Sequence, residues 1–133
     1  MTNDPIALAA LMPFAATCGI RISAAAPSEV RGELAWAADR CTAGSVMHGS
    51  ALMALADTVG AACAVLNLPA GASTATIESK TNFFRGLKGG TAHAVATPLH
   101  VGRTTIVVQT DIRDDEGRRV AFVTQTQAVT AGR

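Results

Sequence analysis

A single carboxylate stands out in the most apolar part of the sequence. Asp57 is the one acidic or basic residue between His48 and Glu78, in the middle of the run ALMALADTVGAACAVLNL. A carboxylate buried in such surroundings either takes up a proton or needs hydrogen-bond donors, and groups of this kind gather at functional sites. The placement predicts a catalytic carboxylate. The alternative is a structural hydrogen bond to Thr58 or to a neighbouring loop.

An anion site is predicted directly before this apolar run. His48 and Gly49 precede a predicted helix, so the amide of Gly49 is among the backbone donors that a helix N-terminus leaves unsatisfied. Such a donor can stabilise the negative oxygen that forms when a carbonyl group is attacked. The alternative for His48 is a loop histidine that caps or hydrogen-bonds the turn.

The spacing of these residues predicts that the site needs two chains. Asp57 lies nine positions after His48, and nine helical steps of about 100° amount to roughly two and a half turns with about 13.5 Å of rise. The two side chains therefore point away from each other. A site that uses both predicts a two-fold dimer, in which His48 and Gly49 of one chain face Asp57 of the partner subunit. Such a dimer has two equivalent sites, and each helix N-terminus helps to keep the facing carboxylate ionised.

The composition indicates one domain over residues 1–133 and excludes several classes of protein. Hydrophobic residues make up 49% of the chain, which is enough to form a core and excludes disorder. A total of 11 Lys and Arg against 10 Asp and Glu leaves a net charge of +1, unlike the basic surface of a nucleic-acid-binding protein. Aromatic residues make up 4% and tyrosine is absent, so a stacking platform for bases or sugars is not expected.

The cysteines and the N-terminal residues indicate the cellular compartment in which the protein is expected. Cys18, Cys41 and Cys63 are odd in number and form no CxxC pair, which indicates neither a disulfide framework nor a metal site and favours a reducing cytoplasm. Asp4 stands where a secretory signal needs Lys or Arg, and Pro13 interrupts the apolar start, so neither export nor a membrane span is predicted. Cys63 is expected to be a buried small hydrophobic residue and Cys41 a loop thiol, rather than nucleophiles.

The elements that must position these residues follow from turn signals and hydrophobic periodicity. We expect a short helix over residues 5–12 capped by Asp4, and a hairpin of strands 19–25 and 29–37 around Pro27 and Ser28. A loop over 38–47 leads to a helix of four to five turns, with Ser50 available as its N-cap and Asn67 at its end. Four consecutive antiparallel strands follow, over residues 73–85, 91–101, 103–113 and 119–129. This order predicts an α+β fold in which one curved antiparallel sheet wraps one helix.

At this point the residues resemble a known family. The segment HGSALMALADTVGAACA, followed after a short loop by TIESKTNFFRG, resembles the hotdog-fold thioesterases of the 4-hydroxybenzoyl-CoA and phenylacetic-acid-degradation type, whose pattern is close to HGG-x-x-x-x-x-x-D. The resemblance extends over nearly the whole chain. It implies a hotdog fold, homodimers that pair through adjacent strands, and dimers that assemble into tetramers. It also implies hydrolysis of an acyl-CoA thioester without a cofactor, since coenzyme A is part of the substrate.

The resemblance further implies a role for each matching residue. Gly49 would donate its amide to the thioester carbonyl oxygen, and Asp57 of the opposite subunit would be the nucleophile or the general base. His48 would shape the oxyanion side of the site. Thr76 would orient the attacking water, with an ordinary strand threonine as the alternative.

Two positions depart from the family pattern. Thr42 stands where the family commonly has Asn or Gln, and a hydroxyl neither reaches as far nor donates twice. Ser50 replaces the second glycine of the motif and adds a side chain beside the oxyanion site. Both residues are therefore candidates for substrate binding and bear on efficiency and substrate preference.

Cations near the strand ends are candidates for the phosphates of coenzyme A. Arg85 and Arg103 come ahead of Lys88 for this role, and the alternative is that all three are solvated edge charges.

Two other functions are open to the same residues. A 3-hydroxyacyl-thioester dehydratase or hydratase on this fold would use His48 as a base, and a non-catalytic acyl-CoA-binding module would keep the pocket without the chemistry. The presence of Asp57 argues against the binding module.

Overall fold

A computed structural model describes residues 3–131 of the chain. Two short helices open the fold, and Asp4 caps the first of them by accepting a hydrogen bond from the Ile6 amide at 3.1 Å. The helices are α1 (Pro5–Ala10), α2 (Pro13–Cys18) and α3 (Gly49–Leu66). The strands are β1 (Arg21–Ala26), β2 (Glu29–Ala35), β3 (Ser73–Phe83), β4 (Thr91–Val101), β5 (Thr105–Arg113) and β6 (Arg119–Thr130).

One antiparallel sheet of six strands, in the order β1-β2-β4-β5-β6-β3, forms the framework. Alternate side chains of β2, β4, β5 and β6 are buried, as expected for a sheet with one face on the core. The buried face includes Val30, Ala94, Val108 and Val123. The sheet curves around α3, which confirms the predicted α+β arrangement of one helix wrapped by one sheet.

The central helix is the most apolar element. Its buried side chains include Leu52, Leu55, Val59 and Cys63, which pack against the inner face of the sheet. The 18 residues of α3 have a mean hydropathy of 1.6, enough by length and composition to cross a membrane, but half of the helix is buried inside the fold as a core helix is.

The structure corrects the predicted helix boundaries in two places. Pro13–Cys18 forms α2, where no element was predicted, because Pro13 ends α1 and also suits the first position of a new helix. The N-cap of α3 is His48 and not Ser50, so the helix begins two residues earlier than expected. Its end was predicted correctly, since Asn67 is the C-cap.

The predicted pairing of consecutive strands is wrong for β3. The β1–β2 hairpin is present, and β4, β5 and β6 pair in sequence order, but β3 pairs with β6 at the far edge of the sheet. The seven residues 84–90 connect β3 to β4 as a crossing loop rather than a hairpin turn. This topology puts β3 at an edge, beside the open face of α3.

Candidate active site

The first turn of α3 leaves one backbone donor available. His48 Nδ1 accepts a hydrogen bond from the Ser50 amide at 3.0 Å and lies 2.6 Å from Ser50 Oγ, while the Ala51 amide donates to the His48 carbonyl oxygen. Over the described residues no acceptor is recorded for the Gly49 amide. The partial positive charge of the helix N-terminus therefore reaches the surface at this N–H.

His48 thus has the capping role that was the alternative to a functional one. Because Nδ1 accepts hydrogen bonds, a neutral imidazole carries its proton on Nε2 and can donate there. The ring lines a groove of about 530 Å³ between α2 and α3, together with Phe14, Cys18 and Arg40. His48 can therefore cap the helix and still present a donor to a molecule in this groove.

Gly49 has no side chain at a point where an aromatic ring comes close. A Cβ built on Gly49 would lie 3.1 Å from Phe83 Cζ, which is tighter than an ordinary contact. Phe83 ends β3 and is 51% exposed. Its ring shields one side of the helix N-terminus from water, which strengthens the interaction of the Gly49 amide with a negative charge.

Asp57 is exposed in the single chain, so the prediction of a carboxylate buried within it is wrong. The sheet surrounds α3 on the sides that carry its buried residues and leaves one stripe open. Ser50, Met53, Asp57 and Ala61 lie on this stripe at helical spacing, and Met53 is 42% exposed. This stripe could not be recognised from the sequence, because its alanine and methionine residues are apolar like those of the buried faces. Such residues also suit an open helix face that a second chain could cover.

The carboxylate of Asp57 is held through one oxygen. Its Oδ1 accepts long hydrogen bonds from Thr76 Oγ1 at 3.5 Å and from Gln125 Nε2 at 3.4 Å. No donor to Oδ2 is recorded among the described residues. The structure therefore brings Asp57 and Thr76 together and leaves one carboxylate oxygen uncommitted.

Two buried glutamines on β6 support this part of the site, and sequence reasoning missed both. Gln125 is 0% exposed and Gln127 is 1% exposed. Gln127 Nε2 donates to Thr76 Oγ1 at 2.8 Å, and Gln127 Oε1 accepts from Thr74 Oγ1 at 3.1 Å. The run TQTQ gives no hydrophobic alternation, so nothing in it shows which residues face inward.

His48 and Asp57 lie in different surroundings within one chain. His48 and Ser50 bond to each other and line the groove beside α2, whereas Asp57 bonds to β3 and β6. Over the described residues the two groups share no hydrogen-bond partner. This separation agrees with the helical spacing from which the two-chain site was predicted.

The predicted substrate-binding residues lie in three different places. Thr42 is exposed and its amide donates to the Val46 carbonyl oxygen at 2.8 Å, so it begins the second of the two short turns before α3. Arg85 and Lys88 line a cleft of about 350 Å³ with Arg118, and Arg103 is exposed in the turn between β4 and β5.

Arg85 and Arg103 lie at opposite ends of the sheet. The Arg85 amide donates to the Val120 carbonyl oxygen beside the end of β5, whereas Arg103 precedes the start of that strand. The nine residues of β5 span about 27 Å. Within one chain, the two arginines therefore cannot bind the same phosphate group.

The remaining candidate nucleophiles and ligands have structural roles. Cys63 is buried, and burial raises the pKa of its thiol to about 11, so it stays protonated at neutral pH. Cys41 Sγ donates to the Ala37 carbonyl oxygen at 3.3 Å. Among residues 3–131, no three His, Cys, Asp or Glu side chains come close enough to hold a metal ion.

Comparison with known proteins assigns the chain to a family. Residues 44–121 match the sequence profile of the thioesterase superfamily, and the chain belongs to that family. The crystal structure of thioesterase HI1161 from Haemophilus influenzae superposes with a TM-score of 0.92 and 27% identity, over 98% of this chain and 93% of that one. A variant of thioesterase PA1618 from Pseudomonas aeruginosa superposes with a TM-score of 0.91 and 26% identity, over 98% of this chain and 96% of that one. The predicted hotdog fold and the family resemblance are thereby confirmed.

A curated sequence relative extends the comparison. ComA2 of Bacillus subtilis, provisionally named an esterase, is 39% identical over 85 residues, which are 62% of this chain and 67% of ComA2. Across the curated relatives the matched segment spans between 50% and 67% of the relative's own length. Hydrolysis of an acyl thioester, the reaction expected from the sequence, is the reaction of this family.

Proposed function

We propose that the protein hydrolyses an acyl thioester at a site formed by two chains. The observation that carries this proposal is the pair of uncommitted groups on α3: the Gly49 amide without an acceptor and the Oδ2 atom of Asp57 without a donor. A backbone donor and a carboxylate suffice for acyl transfer. Membership of the thioesterase superfamily supports the same reaction.

The chemistry follows from the charge that develops during attack. Addition of an oxygen nucleophile to the thioester carbon places negative charge on the carbonyl oxygen, which the Gly49 amide stabilises without reorganising. Asp57 Oδ2 either removes a proton from water as it attacks or attacks the carbon itself, giving an anhydride that water then opens. In both routes the C–S bond breaks, the thiolate takes up a proton, and a free acid and a thiol are released. Thr76, which donates to Asp57 Oδ1, would accept a hydrogen bond from the water and so orient it.

A homodimer through β3 supplies the missing half of each site. β3 is an edge strand of 11 residues, and Ile77 and Phe83 are exposed on it beside the open stripe of α3. A long edge strand with exposed apolar side chains is an aggregation hazard unless a partner covers it. Antiparallel pairing of two β3 strands would cover both stripes. It would set Asp57 against the helix N-terminus of the partner chain, as the helical spacing predicts, and such dimers would assemble into tetramers.

Coenzyme A is the thiol we propose for the substrate. The cleft that contains Arg85, Lys88 and Arg118 offers cations for its phosphates, although Arg118 is already bonded to Asp114. Arg103 would contact phosphate from the other end of the sheet, and so from a different site of the assembly. Ser50 lines the groove beside the helix N-terminus, and Thr42 begins the short turn before α3. Both residues would contact the acyl group. The three free cysteines support a cytoplasmic location.

The engaged nitrogen of His48 weighs against the dehydratase alternative. Its Nδ1 already accepts hydrogen bonds from Ser50, so only Nε2 could act as a base, and that would require the other tautomer.

The decisive test is hydrolysis of aryl and aliphatic acyl-CoA thioesters by wild type and by Asp57→Asn. We expect wild type to hydrolyse at least one class, and Asp57→Asn to lose about 1000-fold or more in kcat because an amide neither attacks nor accepts a proton. Glu29→Gln is the matched control, because it removes an exposed carboxylate that pairs with Arg31 on β2. Full activity of Asp57→Asn would reject the assignment of Asp57.

A further inference from the structure

Gln125 is a buried polar residue with apolar neighbours on two sides of the inner face of the sheet. It lies on the inner face of β6, where Val123 precedes it on the same face and Val108 is its paired residue on β5. The side chain is 0% exposed, and its Oε1 atom has no hydrogen-bond partner among the described residues. A buried amide oxygen without a donor costs about 1–3 kcal/mol. Packing of the core alone would favour an apolar side chain here.

The orientation of the Gln125 amide follows from its neighbours. Asp57 in its ionised form only accepts hydrogen bonds, so the amide must turn its NH₂ group toward Oδ1, which lies 3.4 Å away. The opposite end, Oε1, then lies against the backbone of Gly60, where any Cβ would overlap it. Gly60 is three residues after Asp57 on the same helix. A glycine in α3 therefore admits the amide that reaches the carboxylate.

We propose that Gln125 is a positioning residue that fixes the carboxylate of Asp57 by donating to Oδ1, so that Oδ2 faces the substrate. The inference rests on the proposed function and deepens it, since Gln125 touches Asp57 and acts through it. Thr76 donates to the same oxygen, and the two donors together set the plane of the carboxylate. Because the NH₂ group of Gln125 is turned toward Asp57 from inside the core, the Oε1 atom is left without a hydrogen-bond partner among the described residues.

No second charge on the strands that pack against Asp57 complicates this arrangement. The nearest charged residue of β3 in register, Glu78, accepts a hydrogen bond from Thr126 Oγ1 at 2.6 Å. Thr126 lies on the face of β6 opposite to Gln125, between two buried glutamines. The polar side chains of β6 on the same side as Asp57 are the uncharged Gln125 and Gln127. Thr76 and Gln125 are therefore the side chains of these strands that hold the carboxylate of Asp57.

The test is the variant Gln125→Met, which keeps the unbranched shape and removes the donor. We expect kcat for acyl-thioester hydrolysis to fall about tenfold, the value of one hydrogen bond, with KM within about twofold of wild type. The melting temperature should be kept or raised, since an orphaned buried oxygen disappears.

Two further variants separate positioning from a structural role. Thr110→Val is the matched control: it removes another fully buried polar atom without a partner, Thr110 Oγ1 on the inner face of β5, and should leave kcat unchanged. Gly60→Ala attacks the same contact from the helix, because the new methyl group displaces the Gln125 amide. It should reproduce the loss of kcat with KM little changed.

The outcomes are distinct. A wild-type protein inactive on every thioester, or an active Asp57→Asn variant, would overturn the proposed function itself. With wild type active and Asp57→Asn inactive, an unchanged kcat in Gln125→Met, or a rise in KM that accounts for the whole loss of kcat/KM, would overturn the positioning role alone. If Gln125→Met does not fold, Gly60→Ala decides in the same way, and a loss of stability without a fall in kcat counts against the proposal.

Discussion

Gly49 combines two properties at the start of α3: an amide N–H without an acceptor and a bare Cα against which Phe83 packs. The first property concerns reaction, since a fixed donor stabilises an oxyanion. The second concerns exclusion of water from the same point. Substitutions at this residue can separate the two, because one removes the N–H and another adds only a methyl group.

Gly49→Pro removes the amide proton with little disturbance of the backbone. Proline is favoured at the first position of a helix, and His48 already has the extended conformation that a residue before proline requires, with φ −61° and ψ 136°. We expect hydrolysis to fall about 100- to 1000-fold, the usual loss for one oxyanion donor. Steady-state kinetics with an acyl-CoA substrate, together with circular dichroism of the variant, measure this effect.

Gly49→Ala is the matched control for the proline variant. Both substitutions place a Cβ against the ring of Phe83, but alanine keeps the N–H. We expect alanine to lose only a small part of what proline loses. Equal losses in the two variants would assign the effect to Phe83 and refute the role of the amide.

At the scale of helices and strands, the sequence predicted the features that depend on a few neighbouring residues. The end of α3 at Asn67 and the hairpin of β1 and β2 were predicted correctly, because capping residues and turn formers act over a few positions. The position of β3 could not be predicted in this way. Its pairing with β6 joins residues about 50 positions apart, and alternating side chains do not say which strand is the neighbour.

The same limit explains which site residues were found. His48, Gly49 and Asp57 lie within one motif, so their spacing could be read along the helix. Gln125 reaches Asp57 only through the curvature of the sheet, 68 residues later in the chain. Gly60 was the one local signal, because a glycine inside a helix often marks a close approach, but it does not name the approaching residue.

The pairing of β5 with β6 should make stability depend on acid pH. Burial by itself would raise the pKa of Asp111, but hydrogen bonds and charge from Arg119 and Arg113 outweigh it and lower the pKa. The ionised form therefore stabilises the fold above the ordinary range of aspartate, and this contribution is lost as pH falls through the lowered pKa. Asp111→Asn should cost about 1 kcal/mol at neutral pH and nothing in strong acid.

Urea unfolding at about pH 7 and at about pH 2.5 measures this difference. Asp39→Asn is the control, because Asp39 is exposed and has no ion pair among the described residues. If the free energy of unfolding of wild type exceeds that of Asp111→Asn by the same amount at both pH values, the ion pairs of Asp111 are not the cause of the difference.

At the scale of the whole molecule, the groups of the proposed site have different surroundings within each chain. His48 lines the groove beside α2, whereas Asp57 bonds to β3 and β6 from the open stripe of α3. The exposed edge of β3 lies beside that stripe. Dimerisation would therefore bury the apolar edge and complete the chemistry in one step, and a monomer would be folded but inactive.

Mixing two inactive variants tests this claim most directly. Gly49→Pro lacks the oxyanion donor and Asp57→Asn lacks the carboxylate, so each homodimer is inactive. Random exchange of equal amounts gives half hybrid dimers, and each hybrid has one site with both groups intact. We expect the mixture to recover about a quarter of wild-type activity. If differently tagged chains demonstrably form hybrids and the mixture stays as inactive as its components, the site does not span two chains.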